Sequence, residues 1–165
     1  MATIVELLAS SLDVLKQVQR NDDFTIIKSG DMPRTHIKRL VDNNFLKPII
    51  KGWYVVTDPR EMPGDSTAWY ASFWNFIARY ANERYGNEWC LSAEQSLAIY
   101  SGSTIVPNQV IIRAPKGNNY VVQLIPPTSI FNLGAELPAK IDTNNPYKLN
   151  LYTLPEALIV ATPTM

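Results

Sequence analysis

Apolar residues near the amino terminus recur with the spacing of an α-helix. Leu8, Leu12 and Leu15 are three or four residues apart, which places them on one side of a helix. Residues 3–20 are therefore predicted to form one or two helical pieces with an apolar stripe. The apolar run at 24–27 that follows is too short to be assigned to a helix or a strand.

A second amphipathic helix is predicted at residues 32–43. Asp31 is placed as its N-cap and Pro33 in its first turn, where the missing N–H of proline is not needed. Asn43 and Asn44 can end this helix, because asparagine tolerates the left-handed conformation of a C-terminal cap. The apolar face of the helix consists of Ile37, Leu40 and Val41.

A β-hairpin is predicted directly after this helix. Two runs of β-branched and aromatic residues, 46–50 and 53–57, flank the pair Lys51-Gly52, which fits a two-residue turn. Pro48 predicts that the first strand lies at an edge, because proline cannot donate a hydrogen bond to a central ladder. Helix, short element, helix and hairpin is the order of a winged helix-turn-helix, which we predict for residues 1–60, with the hairpin at 46–57 as its wing.

A cluster of turn-forming and acidic residues follows the hairpin and predicts a domain boundary. Its members are Asp58, Pro59, Glu61, Pro63, Gly64 and Asp65. Beyond the cluster, residues 66–85 carry a wide aromatic stripe that predicts a core helix, which Gly86 can end. Ser92 opens a capping-box pattern, which predicts another helix that continues to about Tyr100.

The last third of the chain is predicted to form short strands and one more helix. The strand candidates are 110–113, 120–125, 139–142 and 148–152. The first two are predicted to pair as a hairpin across residues 116–119. Thr153 is placed as the cap of a final helix, with Glu156 reaching back to it. Residues 66–165 are thus predicted to form a small mixed α/β domain, and the fold class of the whole chain is α+β.

Composition narrows the class of protein. Hydrophobic residues make up 46% of the 165 residues and charged residues 18%, so the chain can bury a core. One cysteine, Cys90, and one histidine, His36, leave no disulfide framework and no multi-histidine metal site, so no cofactor is predicted. The sequence has no apolar run of membrane-spanning length and no signal-peptide pattern, which predicts a cytoplasmic protein without a membrane partner.

The charges of the chain balance overall but are unevenly distributed. Lys and Arg number 15 and Asp and Glu number 15, which gives a formal net charge of zero. Residues 24–57 nevertheless carry six cations against two carboxylates, a net charge of +4, whereas residues 1–23 and 58–165 each come to −2. A basic segment of this kind indicates nucleic-acid binding. Double-stranded DNA is the predicted partner, because its major groove admits one α-helix.

The candidate DNA-contacting residues lie on the predicted recognition helix, about 32–43, and on the wing. Arg34, Thr35 and Lys38 fall in the N-terminal half of the helix, and we predict that they contact base edges. The cations assigned to phosphate contacts, which position a protein on DNA without specifying sequence, are Arg39, Lys47 and Lys51.

Two further residues complete the candidate set. His36 is interpreted as an exposed or edge histidine, since nothing near it in the sequence completes a metal site. Trp53 lies beside the hairpin turn and either packs on the core or contacts the DNA backbone. An alternative stays open for the whole set, because a basic amphipathic helix is often only a solvated surface and a small winged helix can dock a protein.

Enzymatic motifs are missing from the sequence. It has no P-loop, no Gly-x-Ser-x-Gly elbow, no Gly-x-Gly-x-x-Gly and no Cys–His pair with catalytic spacing. Glu94 and Glu156 are explained as first-turn carboxylates that favour helix N-termini. The chain is therefore predicted not to be an enzyme.

Three segments carry a resemblance to a known family. MPRTHIKRLVDNNFLKPIIKGWYVV resembles the N-terminal winged helix of AbiEi-type antitoxins from type IV toxin–antitoxin systems. LSAEQSLAIYSGSTIVPNQVIIRAP and LYTLPEALIVATP are similar to the start of the second domain of that family. The resemblance covers about residues 11 to 161 and implies a DNA-binding repressor of its own operon. It also implies a cognate toxin of the nucleotidyltransferase-like type as protein partner.

A second interpretation stays open beside the antitoxin. Similar winged-helix leaders precede other catalytic domains, including Fic-type AMP-transferases, so the chain is alternatively a non-catalytic regulatory or protein-docking module of a longer enzyme. The His-Pro-Phe motif of a Fic enzyme is absent. The final helix has barely begun when the sequence stops at Met165, and we therefore expect a fragment of a longer protein. The sequence leaves the oligomeric state open.

Overall fold

A computed structural model describes residues 1–20, 25–62 and 64–161. Within these ranges the protein is a mixed α+β structure with five helices and three sheets. Its chain divides into two units, residues 1–72 and 73–165. The predicted domain limits, 1–60 and 66–165, stay a prediction. Phe24, which begins the unassigned apolar run, and Pro63 of the boundary cluster lie outside the described residues.

In its described residues up to Val56, unit 1 contains two helices and a three-stranded sheet. In chain order they are α1 (Ile4–Arg20), β1 (Ile26–Lys28), α2 (Arg34–Asp42), β2 (Leu46–Ile50) and β3 (Trp53–Val56). Helix α1 starts with a reciprocal cap that sequence inspection missed: Glu6 N donates to Thr3 Oγ1 (3.1 Å), and Thr3 N donates to Glu6 Oε2 (2.7 Å). The sheet has the order β1-β3-β2, and both strand pairs are antiparallel.

The start of α2 differs from its prediction, whereas its end agrees. Pro33 is the N-cap of α2, without a side-chain cap hydrogen bond. The predicted cap, Asp31, is wrong, because its carboxylate instead accepts the backbone N–H of Lys28 (2.9 Å) and closes a turn before the helix. After the helix, Asn44 has a positive φ of 64°, as predicted for a left-handed residue at the helix end.

The predicted hairpin is confirmed in its strands and in its turn. Strands β2 and β3 pair across Lys51 and Gly52, and Gly52 has a φ of 86°, which glycine adopts without strain. Pro48 lies on β2, an edge strand as predicted. The core of unit 1 joins α1, α2 and the sheet through Leu15, Ile27, Met32, Ile37, Leu40 and Leu46.

Helix α3 (Thr67–Tyr85) spans the division of the chain, and the remaining elements belong to unit 2. They are β4 (Cys90–Leu91), α4 (Ala93–Tyr100), β5 (Gln109–Ala114), β6 (Val121–Gln123), β7 (Ser129–Gly134), β8 (Ile141–Asp142), β9 (Leu151–Tyr152) and α5 (Leu154–Val160). The predicted end of α3 is confirmed by Gly86, whose φ is 62°. Ser92 caps α4 as predicted and accepts a hydrogen bond from Gln95 N (3.2 Å). Thr153 is the N-cap of α5 as predicted, but its side chain makes no capping hydrogen bond, so that part of the prediction is wrong.

The predicted second hairpin is wrong, because β5 and β6 do not pair with each other. The four-stranded sheet has the order β4-β5-β7-β6, so β7 lies between them. Strand β7 pairs with β5 in parallel and with β6 in antiparallel orientation. Ser129 and Asn132 interrupt the apolar pattern of β7, which hid this strand in the sequence. Asn132 is buried, and its side chain accepts a hydrogen bond from Tyr85 Oη (2.7 Å).

The close approach of β7 leaves no room for a side chain at Gly117, and replacement of this glycine tests the strand order. A Cβ atom at position 117 would lie 2.5 Å from the backbone carbonyl carbon of Leu133, which cannot move without disturbing β7. We expect Gly117→Ala to lower the free energy of unfolding by about 1–3 kcal/mol, the usual cost of overpacking. The measurement is urea unfolding of the full chain.

Gly30→Ala is the matched control for this substitution. A Cβ atom at position 30 meets nothing within 4 Å, so this change is expected to alter the free energy of unfolding by less than about 0.5 kcal/mol. Equal effects of the two substitutions would contradict the close packing of Gly117 against β7.

Candidate nucleic-acid interface

Helix α2 has three faces with different surroundings. Ile37 and Leu40 are buried in the core of unit 1. Arg34, Thr35 and Lys38 are exposed on the outer face. Because a helix turns by about 100° per residue, burying the first pair at a spacing of three forces the other residues outward. The three residues predicted to contact bases are therefore together on the exposed face.

His36 and Arg39 lie on the third face of α2, which contacts α1. A hydrogen bond of 2.8 Å joins His36 Nδ1 to the buried Ser11 Oγ, and Arg39 Nη1 donates to the same oxygen at 2.8 Å. Arg39 Nη1 also donates to the backbone carbonyl of Leu7 (3.2 Å). These side chains therefore hold α1 against α2. His36 and Arg39 are thus engaged in hydrogen bonds within unit 1, and they do not belong to the exposed face that carries Arg34 and Lys38.

Ser11 is the residue of this cluster that sequence inspection did not single out. It lies within the apolar stripe of α1, four residues before Leu15, and is fully buried. A serine at an apolar position of an amphipathic helix was the available signal. Buried hydroxyl groups require hydrogen-bond partners, and here two partners come from α2.

The two lysines of the hairpin are both exposed. Lys47 lies on β2 between the buried Leu46 and the exposed Pro48, and Lys51 is the first residue of the turn. The turn is fastened to the rest of the sheet, because Ser29 N donates to the Gly52 carbonyl at 2.8 Å. The cation at the tip of the hairpin is thus presented from an anchored backbone.

Trp53 lies in the core of the sheet, with 7% of its surface exposed. Lys28 Nζ lies 5.3 Å from the centre of its ring, a cation–π contact that covers the ring further. Of the two placements considered for this residue, packing on the core is the one observed. Trp53 supports the hairpin, and its position does not favour the predicted contact with DNA.

One ion pair crosses the outer face of α2. Lys38 Nζ lies 2.8 Å from Asp42 Oδ2, with the two side chains 77% and 57% exposed. An exposed pair of this spacing contributes only about 0.3–0.5 kcal/mol, so Lys38 can exchange Asp42 for a stronger anion at little cost.

Other kinds of site find little support in the described residues. Across residues 1–20, 25–62 and 64–161, no group of three His, Cys, Asp or Glu side chains is arranged to hold a metal ion. Burial raises the pKa of the Cys90 thiol to about 12, which keeps it protonated and a poor nucleophile at neutral pH. No helix in the described part of the chain has the length and apolar character needed to cross a membrane.

Comparison with known proteins finds no protein-family model, no curated protein and no solved structure that matches this chain. Function is therefore inferred from the chain's own residues.

Ser11→Ala tests whether the buried cluster holds α1 against α2. The substitution removes the oxygen shared by His36 and Arg39, and we expect it to lower the free energy of unfolding by about 1–2 kcal/mol. Ser10→Ala is the matched control, because Ser10 is exposed on the same helix and its loss should be nearly neutral. Thermal and urea unfolding measure both. A cluster without structural importance would leave the two variants equally stable.

Proposed function

We propose that the protein is a DNA-binding transcription regulator, with unit 1 acting as a winged helix, α2 as its recognition helix and β2–β3 as its wing. The observation that carries this proposal is the outer face of α2. Arg34, Thr35 and Lys38 are exposed there, while the opposite face is buried in the core. Arginine, lysine and threonine side chains on one exposed helix face suit the hydrogen-bonding groups of the major groove.

The hairpin supports the same proposal. In a winged helix, the recognition helix enters the major groove while flanking elements contact the DNA backbone. Lys47 and Lys51 are exposed on the hairpin that follows α2 directly in the chain. Phosphate contacts from these lysines supply affinity that depends on salt, because each contact releases condensed counterions.

The arrangement departs from a helix-turn-helix in one respect. Between α1 and α2 the described residues contain strand β1, which pairs with β3, and no third helix. The recognition helix is instead positioned by the contact of its Arg39 and His36 with Ser11 of α1. In the proposed complex, therefore, α1 supports α2 from behind, as the first helix of a helix-turn-helix does.

The resemblance of the chain to AbiEi-type antitoxins adds a regulated gene and a protein partner to the proposal. It supports a cytoplasmic repressor that binds the DNA upstream of its own gene. It also supports a nucleotidyltransferase-like toxin as the partner of unit 2. Both points rest on three sequence segments, and the basic face of α2 supports only the DNA-binding part.

A second candidate function is protein docking within a longer enzyme. The observation that favours it is apolar exposure on two helices. On α1, Ile4 and Val5 are 82% and 76% exposed, and on α5, Leu158 and Ile159 are 64% and 83% exposed. Adjacent exposed apolar side chains on a helix are available for contact with another protein. The cationic face of α2 has no role in this alternative, so DNA binding distinguishes the two.

Three substitutions in unit 1 test the leading proposal. Arg34→Ala and Lys38→Ala are expected to weaken binding to the native upstream duplex more than to scrambled duplex, by about 1–3 kcal/mol for each lost base contact. Lys51→Ala is expected to weaken binding to both duplexes alike and to reduce the salt slope by about one unit. Fluorescence anisotropy at two or more salt concentrations measures each effect.

Lys116→Ala supplies the control for these substitutions. Lys116 is an exposed lysine of unit 2, outside the basic segment, and its loss should leave binding unchanged. If the wild-type protein bound neither duplex, the regulator would be excluded and protein docking favoured. Binding that all three substitutions in unit 1 left intact would show that α2 is not the recognition helix.

A further inference from the structure

The two edges of the four-stranded sheet in unit 2 differ in whether another part of the chain covers their backbone groups. At the β4 edge, Leu91 N donates to the carbonyl of Asn150 (2.9 Å), and Asn150 Nδ2 donates to the carbonyl of Trp89 (3.0 Å). Asn150 is itself buried. At this edge, the Leu91 N–H and the Trp89 carbonyl are therefore satisfied within the chain. At the other edge, in the described part of unit 2, no strand lies beyond β6.

The hydrogen bonds of β6 show which of its backbone groups are turned outward. Asn132 N donates to the Tyr120 carbonyl (3.1 Å), and Leu124 N donates to the Thr128 carbonyl (3.0 Å). Residues 120 and 124 thus face β7 at either end of the strand. An antiparallel ladder alternates between hydrogen-bonded and non-bonded residue pairs.

The same alternation assigns the residues between these two ends. The pair Val122–Ile130 lies between the two bonded pairs at the ends of the strand, so the N–H and carbonyl groups of Val122 face β7. The N–H and carbonyl groups of Val121 and Gln123 consequently point away from β7, toward the open edge. Each copy of the protein thus offers two donors and two acceptors in a row, spaced as in a β-ladder.

Two of the features that usually prevent edge strands from associating, charged side chains and proline, are absent from this edge. Residues 117–125 contain no charged side chain, and β6 contains no proline. Tyr120 and Val121 are 70% and 48% exposed beside the free backbone groups. An exposed edge with apolar side chains and no charge is suited to pairing with another strand.

We propose that β6 is a dimerisation strand, which pairs antiparallel with β6 of a second copy of this chain and joins the two four-stranded sheets. A two-fold axis at Val122 places Val121 opposite Gln123 of the second copy. Both of these residues have outward N–H and carbonyl groups, so each such pair exchanges two hydrogen bonds, and the axis generates the second pair.

A second copy of this chain fits this edge in register and in charge. The register is self-complementary, because the outward residues lie symmetrically about Val122. The contact also places no like charges opposite each other, since the segment is uncharged. This inference does not rest on DNA binding, because it concerns residues of unit 2 alone.

Val121→Pro tests the proposal without removing a hydrogen bond to β7. The N–H at position 121 points outward, so proline there blocks only the second strand, and proline is tolerated on strands whose N–H faces solvent. Each dimer loses two N–H donors, one from each copy, and we expect its Kd to rise about tenfold or more. Sedimentation equilibrium of the full chain over a concentration series measures this change.

Val121→Thr is the matched control, because threonine is also β-branched and keeps the backbone N–H. We expect it to dimerise like the wild-type chain. A wild-type chain that stayed monomeric at the highest concentration would overturn the proposal. A dimer that Val121→Pro did not weaken would also overturn it and would point to the exposed apolar helices instead.

Hydrogen exchange of the wild-type chain gives a second readout that does not depend on a variant folding. The amide protons of Val121 and Gln123 are expected to gain protection as protein concentration rises, whereas the amide proton of Val122 is protected at every concentration by β7. Concentration-independent exchange at Val121 and Gln123 in a chain that dimerises would exclude this strand as the contact.

Discussion

Burial of Ile37 and Leu40 fixes the rotation of α2, and the rest of the proposed interface depends on that rotation. Once these two side chains occupy the core of unit 1, helical geometry leaves Arg34 and Lys38 in solvent. Burial of apolar surface is the dominant favourable term in folding, whereas exposed cations contribute little to stability. The buried apolar residues therefore determine where the basic face points, whereas the cations on that face contribute little to its placement.

The contact between α1 and α2 adds a polar constraint to this apolar one. Apolar packing alone tolerates small changes in the angle between two helices, because its attraction has little directionality. Hydrogen bonds are directional, and across the contact Ser11 Oγ is hydrogen-bonded to His36 Nδ1 and accepts from Arg39 Nη1. Losing the two hydrogen bonds that cross the contact is costly for these partly buried groups, so this cluster favours one placement of α2. An arginine that sequence alone assigns to phosphate thus has a structural role in the free protein.

Local patterns predicted the hairpin and the cap at Ser92 but not the capping bonds at the starts of α2 and α5, and long-range pairing escaped them. The hairpin across Gly52 and the cap at Ser92 depend on neighbouring residues, so their signals lie within a few positions of each other. The parallel pairing of β5 with β7 depends on residues far apart in the chain, and β7 has a buried Asn132 where the strand pattern calls for an apolar residue. The candidate site follows the same division. Helix periodicity predicted the exposure of Arg34 and Lys38, but the partners of His36 and Arg39 lie on another helix.

The two surfaces inferred here act through different physics, so neither inference depends on the other. The basic face of α2 acts through charge, and salt screens such interactions and competes for phosphate. Strand β6 offers backbone hydrogen bonds and the exposed apolar side chain of Val121, which simple salts weaken far less. A dimer that forms through unit 2 carries two copies of unit 1, one from each chain. Two linked DNA-binding modules gain affinity only when a single duplex can engage both. The distance between the two copies of unit 1 in a dimer, more than the strength of either contact, therefore determines whether dimerisation strengthens DNA binding.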